Sequence, residues 1–318
     1  MTPQLSHLAY AGHMTTSPTR RHLEAMITPT LRPMQAADAS AVAALQNAAC
    51  RGLWHITPAE VLAQTGQRRV VEQAGHLVGG ARLYPFGLGA EDALRLSLCG
   101  DAAHFSALYL HLLAAADLSG CTRVLGVVRE DWAEQVGFFQ AAGFANVWQT
   151  YGARLDLTGF DFARFAPELE RLYLEGHEIR EWPADGDAAQ LYALDQQFQA
   201  DAPATPVTPT AHRPLSAFAE ELRRQRTWVL WRGDEPLAFT TFHAPYGIPD
   251  SAGTVTRRGE RGRGLAAALK AHALEELRRE GNTQTSTGGA VANLPMLRVN
   301  LRLGYCPEPM WLTFERPL

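Results

Sequence analysis

Apolar positions at Leu265, Leu269, Ala273 and Leu277 recur every four residues, and Arg278, Arg279 and Gly281 close the run. That is the spacing of one helix face, and it predicts a helix over residues 265–280. Just upstream, Gly253-Thr254-Val255-Thr256 predicts a short strand, and Arg261-Gly-Arg-Gly-Leu-Ala266 predicts the turn between the two. Residues 70–83 and 229–242 each read as two strands around a turn, at Ala74-Gly75-His76 and Gly233-Asp234-Glu235. The polar run 283–287 is β-like. A second helix is predicted from Asn293, with Asn293 as its cap, Pro295 in its first turn and Gly304 at its stop. Residues 159–175 read as a helix, and the Pro- and Thr-rich stretch 198–215 as a loop.

The pattern repeats. Setting Gly120 on Gly281 also sets Thr122 on Thr283, Gly143 on Gly304 and Phe144 on Tyr305. Upstream, Leu31-Arg32 resembles Ile179-Arg180, each predicted to open an amphipathic helix, with Val42 and Leu45 falling near Leu191 and Leu194. A length of 318 residues is comfortable for two cores of about 150. The predicted domains are residues 27–158 and 176–318, joined by a helix at 159–175. Residues 1–26 are polar, lack the apolar run of a signal peptide or membrane helix, and read as a disordered extension.

A strand, a glycine-bearing basic turn and a helix start together make an anion site. The free N–H groups of the first helical turn converge there, and the helix dipole favours negative charge. Gly262 and Gly264 permit close backbone approach, while Arg261 and Arg263 add charge suited to a diphosphate. The turn is neither G-x-G-x-x-G nor G-x-x-x-x-G-K-[ST], so neither nucleotide fold is supported. It resembles the R/Q-x-x-G-x-G/A motif of the GCN5-related N-acetyltransferase (GNAT) family, with Arg261, Gly264 and Ala266 at the specified positions. The segment from Asn293 to Tyr305 is similar to that family's N-x-x-A-x-x-x-Y-x-x-x-G-F helix.

This resemblance implies an α/β fold with a mixed sheet, built as two tandem acyl-CoA N-acyltransferase folds related by a pseudo-twofold axis. The tandem layout is similar to that of the mycothiol synthase branch. Acetyl-CoA is implied as co-substrate, its pyrophosphate held by Arg261, Gly262, Arg263, Gly264, Leu265 and Ala266, with Val255, Thr256 and Asn293 completing the site. The backbone N–H of Thr254 is implied as the donor to the thioester oxygen. The first half departs from the motif: Gly100-Asp-Ala-Ala-His-Phe105 stands opposite the turn, Asp101 would repel a diphosphate, and Trp132 stands where Asn293 does. That half is expected to keep the fold without the cofactor, and to pack against the other half or wall its acceptor site.

The family's proton-donating tyrosine falls on Asn300, and in the first half on Phe139. Asparagine is no acid at neutral pH, though it can hydrogen-bond a sulfur or a bridging water. His243, Tyr246 and Asp250 are candidates near the central strand for the base or acceptor site, and Asp201 for holding a cationic acceptor.

A net charge of −4 argues against a general nucleic-acid role. Arg257, Arg258, Arg261 and Arg263 concentrate positive charge locally, which suits a small polyanion better. The four cysteines are isolated and read as thiols of a reducing, cytoplasmic compartment, and the eleven histidines show no metal-binding spacing, so no metal is expected. Lysine occurs once, at Lys270, and that scarcity reads as codon bias. The expected function is acetyl transfer from acetyl-CoA to a primary amine of a small molecule, by direct attack in a ternary complex. No nucleic-acid or membrane partner is expected, and the chain is expected to be a monomer with an internal pseudo-dimer. The alternatives are a non-catalytic acyl-CoA-binding module and an aminoacyl-tRNA-dependent peptidyl transferase.

Overall fold

The computed structural model describes residues 28–87, 90–183, 185–201, 213–244 and 247–318. The predicted extension 1–26, the middle of the predicted loop 198–215 and Tyr246 lie outside the described residues. The chain forms two compact units, residues up to 81 with 98–114, and residues 82–97 with 115–318. These units do not coincide with the two sequence halves.

In the first unit, strand β1 (Thr30–Pro33) pairs antiparallel with β2 (Gln67–Gln73), Leu31 opposite Val71. Strands β3 (His76–Gly87) and β4 (Ala90–Gly100) begin and end here respectively. Helices α1 (Ala39–Cys50), α2 (Pro58–Ala63) and α3 (Phe105–Ala115) accompany them. Ala39, Val42, Ala43, Val61 and Val70 form one core cluster. Leu31 and Arg32 were expected to open a helix and instead lie on β1, with α1 starting at Ala39. The reason is local. Arg32 donates to Asp38 and Glu72 across the strand pair, at 2.7 and 2.9 Å, which holds the segment extended until Asp38.

The second unit continues with β5 (Arg123–Arg129), α4 (Ala133–Ala141), β6 (Ala145–Asp156), α5 (Ala166–Leu174) and β7 (His177–Glu181). Next come α6 (Ala189–Asp201), α7 (Leu215–Arg223), β8 (Arg226–Arg232), β9 (Glu235–His243) and β10 (Asp250–Thr256). The chain ends with α8 (Leu265–Arg279), β11 (Gln284–Ala290), α9 (Leu294–Leu303), β12 (Cys306–Pro307) and β13 (Trp311–Pro317). Ile179 and Arg180 lie on β7, again ahead of their helix rather than in it.

Strand order in this unit is β4-β5-β13-β6-β11-β10-β9-β8-β7. The β4/β5 and β10/β11 pairs are parallel, and β5/β13, β13/β6, β6/β11, β10/β9, β9/β8 and β8/β7 are antiparallel. The order exposes an exchange. Strand β6, from the first sequence half, pairs with β11 of the second, while the C-terminal β13 crosses back to lie between β5 and β6. Tyr151, Ala153 and Leu155 of β6 therefore sit in one apolar cluster with Leu265, Leu269, Leu274 and Leu277 of α8.

Helix α8 carries the predicted stripe: Leu265, Leu269, Ala273 and Leu277 are all buried. Each leucine sequestered this way contributes roughly 1.5–3 kcal/mol. Gly281, at φ +92°, closes the helix, its N–H donating to Arg278 O while the Asn282 N–H donates to Leu277 O. This double bond satisfies carbonyls the helix would otherwise leave open.

Candidate active site

Strands β10 and β11 are paired at Asp250/Ser286 and Ser251/Thr287 and then part company. A register shift between Ser251 and Gly253 lies at the point of divergence. Beyond it, the alternation of antiparallel bonding decides which peptide groups face the gap. The Arg257 N–H donates to Leu237 O, so Val255, two residues earlier, also turns its peptide groups to β9. Thr254 and Thr256 turn theirs into the gap. The peptide groups of Val255 are committed to the sheet and its side chain is 4 % exposed, while the residue still lines the cavity that opens from the gap. The Thr254 hydroxyl lies 2.8 Å from that of Thr240.

The gap opens into a cavity of about 600 Å³ walled by Thr254, Thr256, Gly262, Leu265, Asn293 and Met296 among others. Arg261, Gly264 and Ala266 also line it. Gly262 and Gly264 have φ of +80° and +83°, the left-handed region that favours glycine, and Gly264 is the residue from which α8 starts. The Gly264 carbonyl accepts the Ala268 N–H, so the N–H groups of the preceding helical residues have no carbonyl within the helix to meet. Asn293 caps α9 as predicted, its Oδ1 accepting the Met296 N–H at 3.3 Å.

The arginines are less available than the sequence suggests. Asp201, predicted in a loop, is the last residue of α6 and accepts from Arg258 at 2.5 Å and Arg261 at 2.7 Å. Those bonds hold its carboxyl below the usual range. Arg261 also donates to Thr256 O, Arg263 pairs with Glu260 and Glu175, and Arg257 pairs with Glu235. The positive patch is thus largely neutralised by its own carboxylates. Asp201 and Glu260 line the cavity with Arg261, beside the N–H groups of the first turn of α8.

Beneath the gap lies a buried polar chain that sequence reading missed. Lys270 projects from α8, 1 % exposed, and donates to Asn300 Oδ1 at 2.6 Å and Thr287 Oγ1 at 3.4 Å. Asn300 donates through Nδ2 to the Tyr151 hydroxyl at 2.7 Å. Burial pulls the Lys270 ammonium down to about 7, against the opposing pull of Asp250. Burial pushes the Tyr151 phenol up, and the bond from Asn300 opposes that. Asn300, expected to reach toward a sulfur or water, instead spends both ends of its amide inside this chain. The one signal available was that the chain's single lysine falls next to Leu269, within an otherwise apolar stretch.

His243 and Asp250 are brought together as a cross-strand pair, Nε2 to Oδ2 3.6 Å, with Ser286 donating to Asp250 at 2.5 Å. His243 Nδ1 is buried with no partner among the described residues. No cluster able to hold a metal occurs among the described residues.

The corresponding first-half positions are filled in differently. Asp101 accepts the Ala103 N–H at 2.9 Å, so its own carboxylate occupies that helix start. A Cβ at Gly100 would lie 2.3 Å from Val78 O, leaving no room for a ligand on that side. Phe139, in the position of Asn300, is buried and stacks on Phe314 at 5.4 Å, and its ring fills the space a Cβ on Gly126 would need.

This combination of parting parallel strands, glycine turn and open helix start agrees with comparison to known proteins. Residues 190–305 match the acetyltransferase (GNAT) family. That region belongs to the GNAT family. The fold over most of the chain is the tandem form. A GCN5-related N-acetyltransferase from Sphaerobacter thermophilus superposes with a TM-score of 0.64 at 14 % identity, covering 91 % of this chain and 95 % of that one. A tandem GNAT protein from the clavulanic acid biosynthesis pathway gives 0.54 at 18 % identity, covering 91 % and 98 %. The glucosamine N-acetyltransferase region of a fungal multi-domain β-N-acetylglucosaminidase gives 0.62 at 15 % identity, covering 91 % of this chain and 38 % of that one. No curated protein sequence matches. Among the described residues, no helix is long and apolar enough to cross a membrane.

Proposed function

We propose that the second half of this chain transfers the acetyl group of acetyl-CoA to a primary amine of a small molecule, by direct attack with both substrates bound. The observation that carries the reading is the gap between β10 and β11 leading onto the Gly262–Gly264 turn. The residues present fit acetyl-CoA. A diphosphate finds backbone N–H groups at a helix start, and an extended amide chain finds the inward-facing peptide groups of Thr254 and the N–H of Thr256, whose carbonyl already accepts from Arg261. A thioester seated in the gap would take the Thr254 N–H as the donor to its carbonyl oxygen, where a fixed donor stabilises the charge that develops in acyl transfer. His243 and Asp250, paired at the closed end of the gap, are the groups to take or relay the amine's proton. Asp201, tied to Arg258 and Arg261, is less suited to a cationic acceptor than the sequence suggested.

The first half is proposed to bind no acetyl-CoA, since Asp101 holds its helix start and Phe139 fills its core at the matching point. Calorimetry with acetyl-CoA is expected to give one site per chain. Thiol release is expected with at least one member of a panel of primary amines. Binding at two equal sites, or at none, overturns this reading. Binding without release across the panel favours a non-catalytic acyl-CoA module instead.

A further inference from the structure

The polar chain under the gap ends on a residue from the other half of the sequence, and its donor directions are fixed by chemistry. Asn300 turns its carbonyl Oδ1 to Lys270, the orientation a protonated lysine requires because an ammonium has no acceptor capacity. The amide N–H then faces Tyr151, whose oxygen accepts. The phenol's own proton is not used in that bond and has no other partner among the described residues.

Tyr151 lies directly opposite Gly289 in the β6/β11 ladder, past the point where β11 leaves β10. A Cβ on Gly289 would sit 3.5 Å from the Tyr151 ring and 3.6 Å from its hydroxyl oxygen, and Gly289 itself is exposed. Gly289 thus places no side chain against the hydroxyl end of Tyr151, which is itself 4 % exposed and reaches Asn300, the residue that stands at the family's tyrosine position. Val299, next to Asn300, lines the cavity.

We propose that Tyr151 is the proton donor to the departing thiolate, with Asn300 and Lys270 as its positioning residues. The proposal rests on the acetyltransferase reading. In the step, the amine nitrogen bonds to the acetyl carbon and the C–S bond breaks with its electron pair going to sulfur. Sulfur takes the Tyr151 proton. The resulting phenolate is met by the Asn300 N–H, whose acidity the adjacent ammonium raises, and it recovers a proton from solvent, which has received the one shed by the new amide nitrogen. The second half of the sequence supplies an asparagine where a phenol would serve, and the exchanged strand β6 brings the phenol from the first half.

The test uses the full chain with 3-fluorotyrosine placed at position 151 alone, giving one ¹⁹F resonance to follow. CoA is expected to shift that resonance, and desulfo-CoA, which lacks the thiol, to leave it near its free position. Equal shifts with both, or none while calorimetry shows both bound, overturn the proposal and leave the transferase reading standing. Failure of either ligand to bind overturns both. Where an amine supports turnover, Tyr151→Phe is expected to lower kcat roughly 100-fold with the affinity for acetyl-CoA unchanged. A variant turning over at the full rate overturns the proposal.

Discussion

Lys270 shows most directly how position in the fold changes a residue's chemistry. Its ammonium is buried against Thr287, Asn300 and the Tyr305 ring, 4.8 Å away, and titrates near 7 rather than at its usual 10.5. Between those values the unfolded chain holds a proton that the folded chain has released. Stability therefore rises with pH across that window, by up to roughly 1.4 kcal/mol per pH unit. Lys270→Met removes the titration while filling the space. Urea unfolding of both proteins is expected to show the wild type gaining on the variant from about pH 7.5 to 9.5. Parallel curves would mean that Lys270 keeps its ordinary affinity for protons. None of this was evident from spacing. A lysine beside an apolar stripe normally extends its stem along the surface to reach water, and here Thr287 of β11, Asn300 of α9 and the Tyr305 ring close over it.

At the scale of elements, the site is a competition between backbone and side chains for the same anion. The strand, turn and helix were readable because each is announced locally: glycines where φ is positive, a cap at Asn293, an apolar stripe on α8. The ion pairs that cover the arginines were not, since Asp201 and Glu175 approach the turn from other elements. Gly264 is the sensitive position for the backbone. Asparagine and aspartate both tolerate the left-handed region and have the same shape. Gly264→Asn is expected to weaken acetyl-CoA binding and Gly264→Asp to abolish it, because only the second brings a carboxylate onto the anion site, near Glu168. Two variants that bind as the wild type does would place the diphosphate elsewhere. For the side chains, Asp201→Asn frees Arg258 and Arg261. Exposed ion pairs contribute about 0.2–1 kcal/mol, so calorimetry at low salt is expected to show acetyl-CoA binding tighten about two- to five-fold. Weaker binding would mean that Asp201 serves to hold the turn in its binding shape.

For the whole molecule, the repeat in the sequence was visible and the exchange of strands was not. Matching glycines at 120 and 281, and at 143 and 304, mark turns that each half closes for itself. Which strand then lies beside which is decided by pairing over long separations, as between Leu155 and Thr285 or Phe314 and Gly126, and such pairing leaves no local trace. The exchange makes the halves interdependent in a way that packing two finished domains would not. A fragment beginning at Gly176 keeps β7 to β13 but loses β6. Strand β11 would present an unpaired edge, β13 would lose both of its neighbours, β5 and β6, and the core around α8 would lose Tyr151, Ala153, Leu155 and Leu157. The same cut removes the acceptor of the Asn300 N–H. The fragment expressed alone is therefore expected to be insoluble or to unfold without a cooperative transition. Residues 27–175, supplied as a separate chain, are expected to restore both solubility and acetyl-CoA binding, because they return β6 to its place. A lone fragment that unfolds cooperatively and binds acetyl-CoA as the full chain does would show that the exchanged strand is dispensable, and would remove the structural basis for Tyr151 acting in the site.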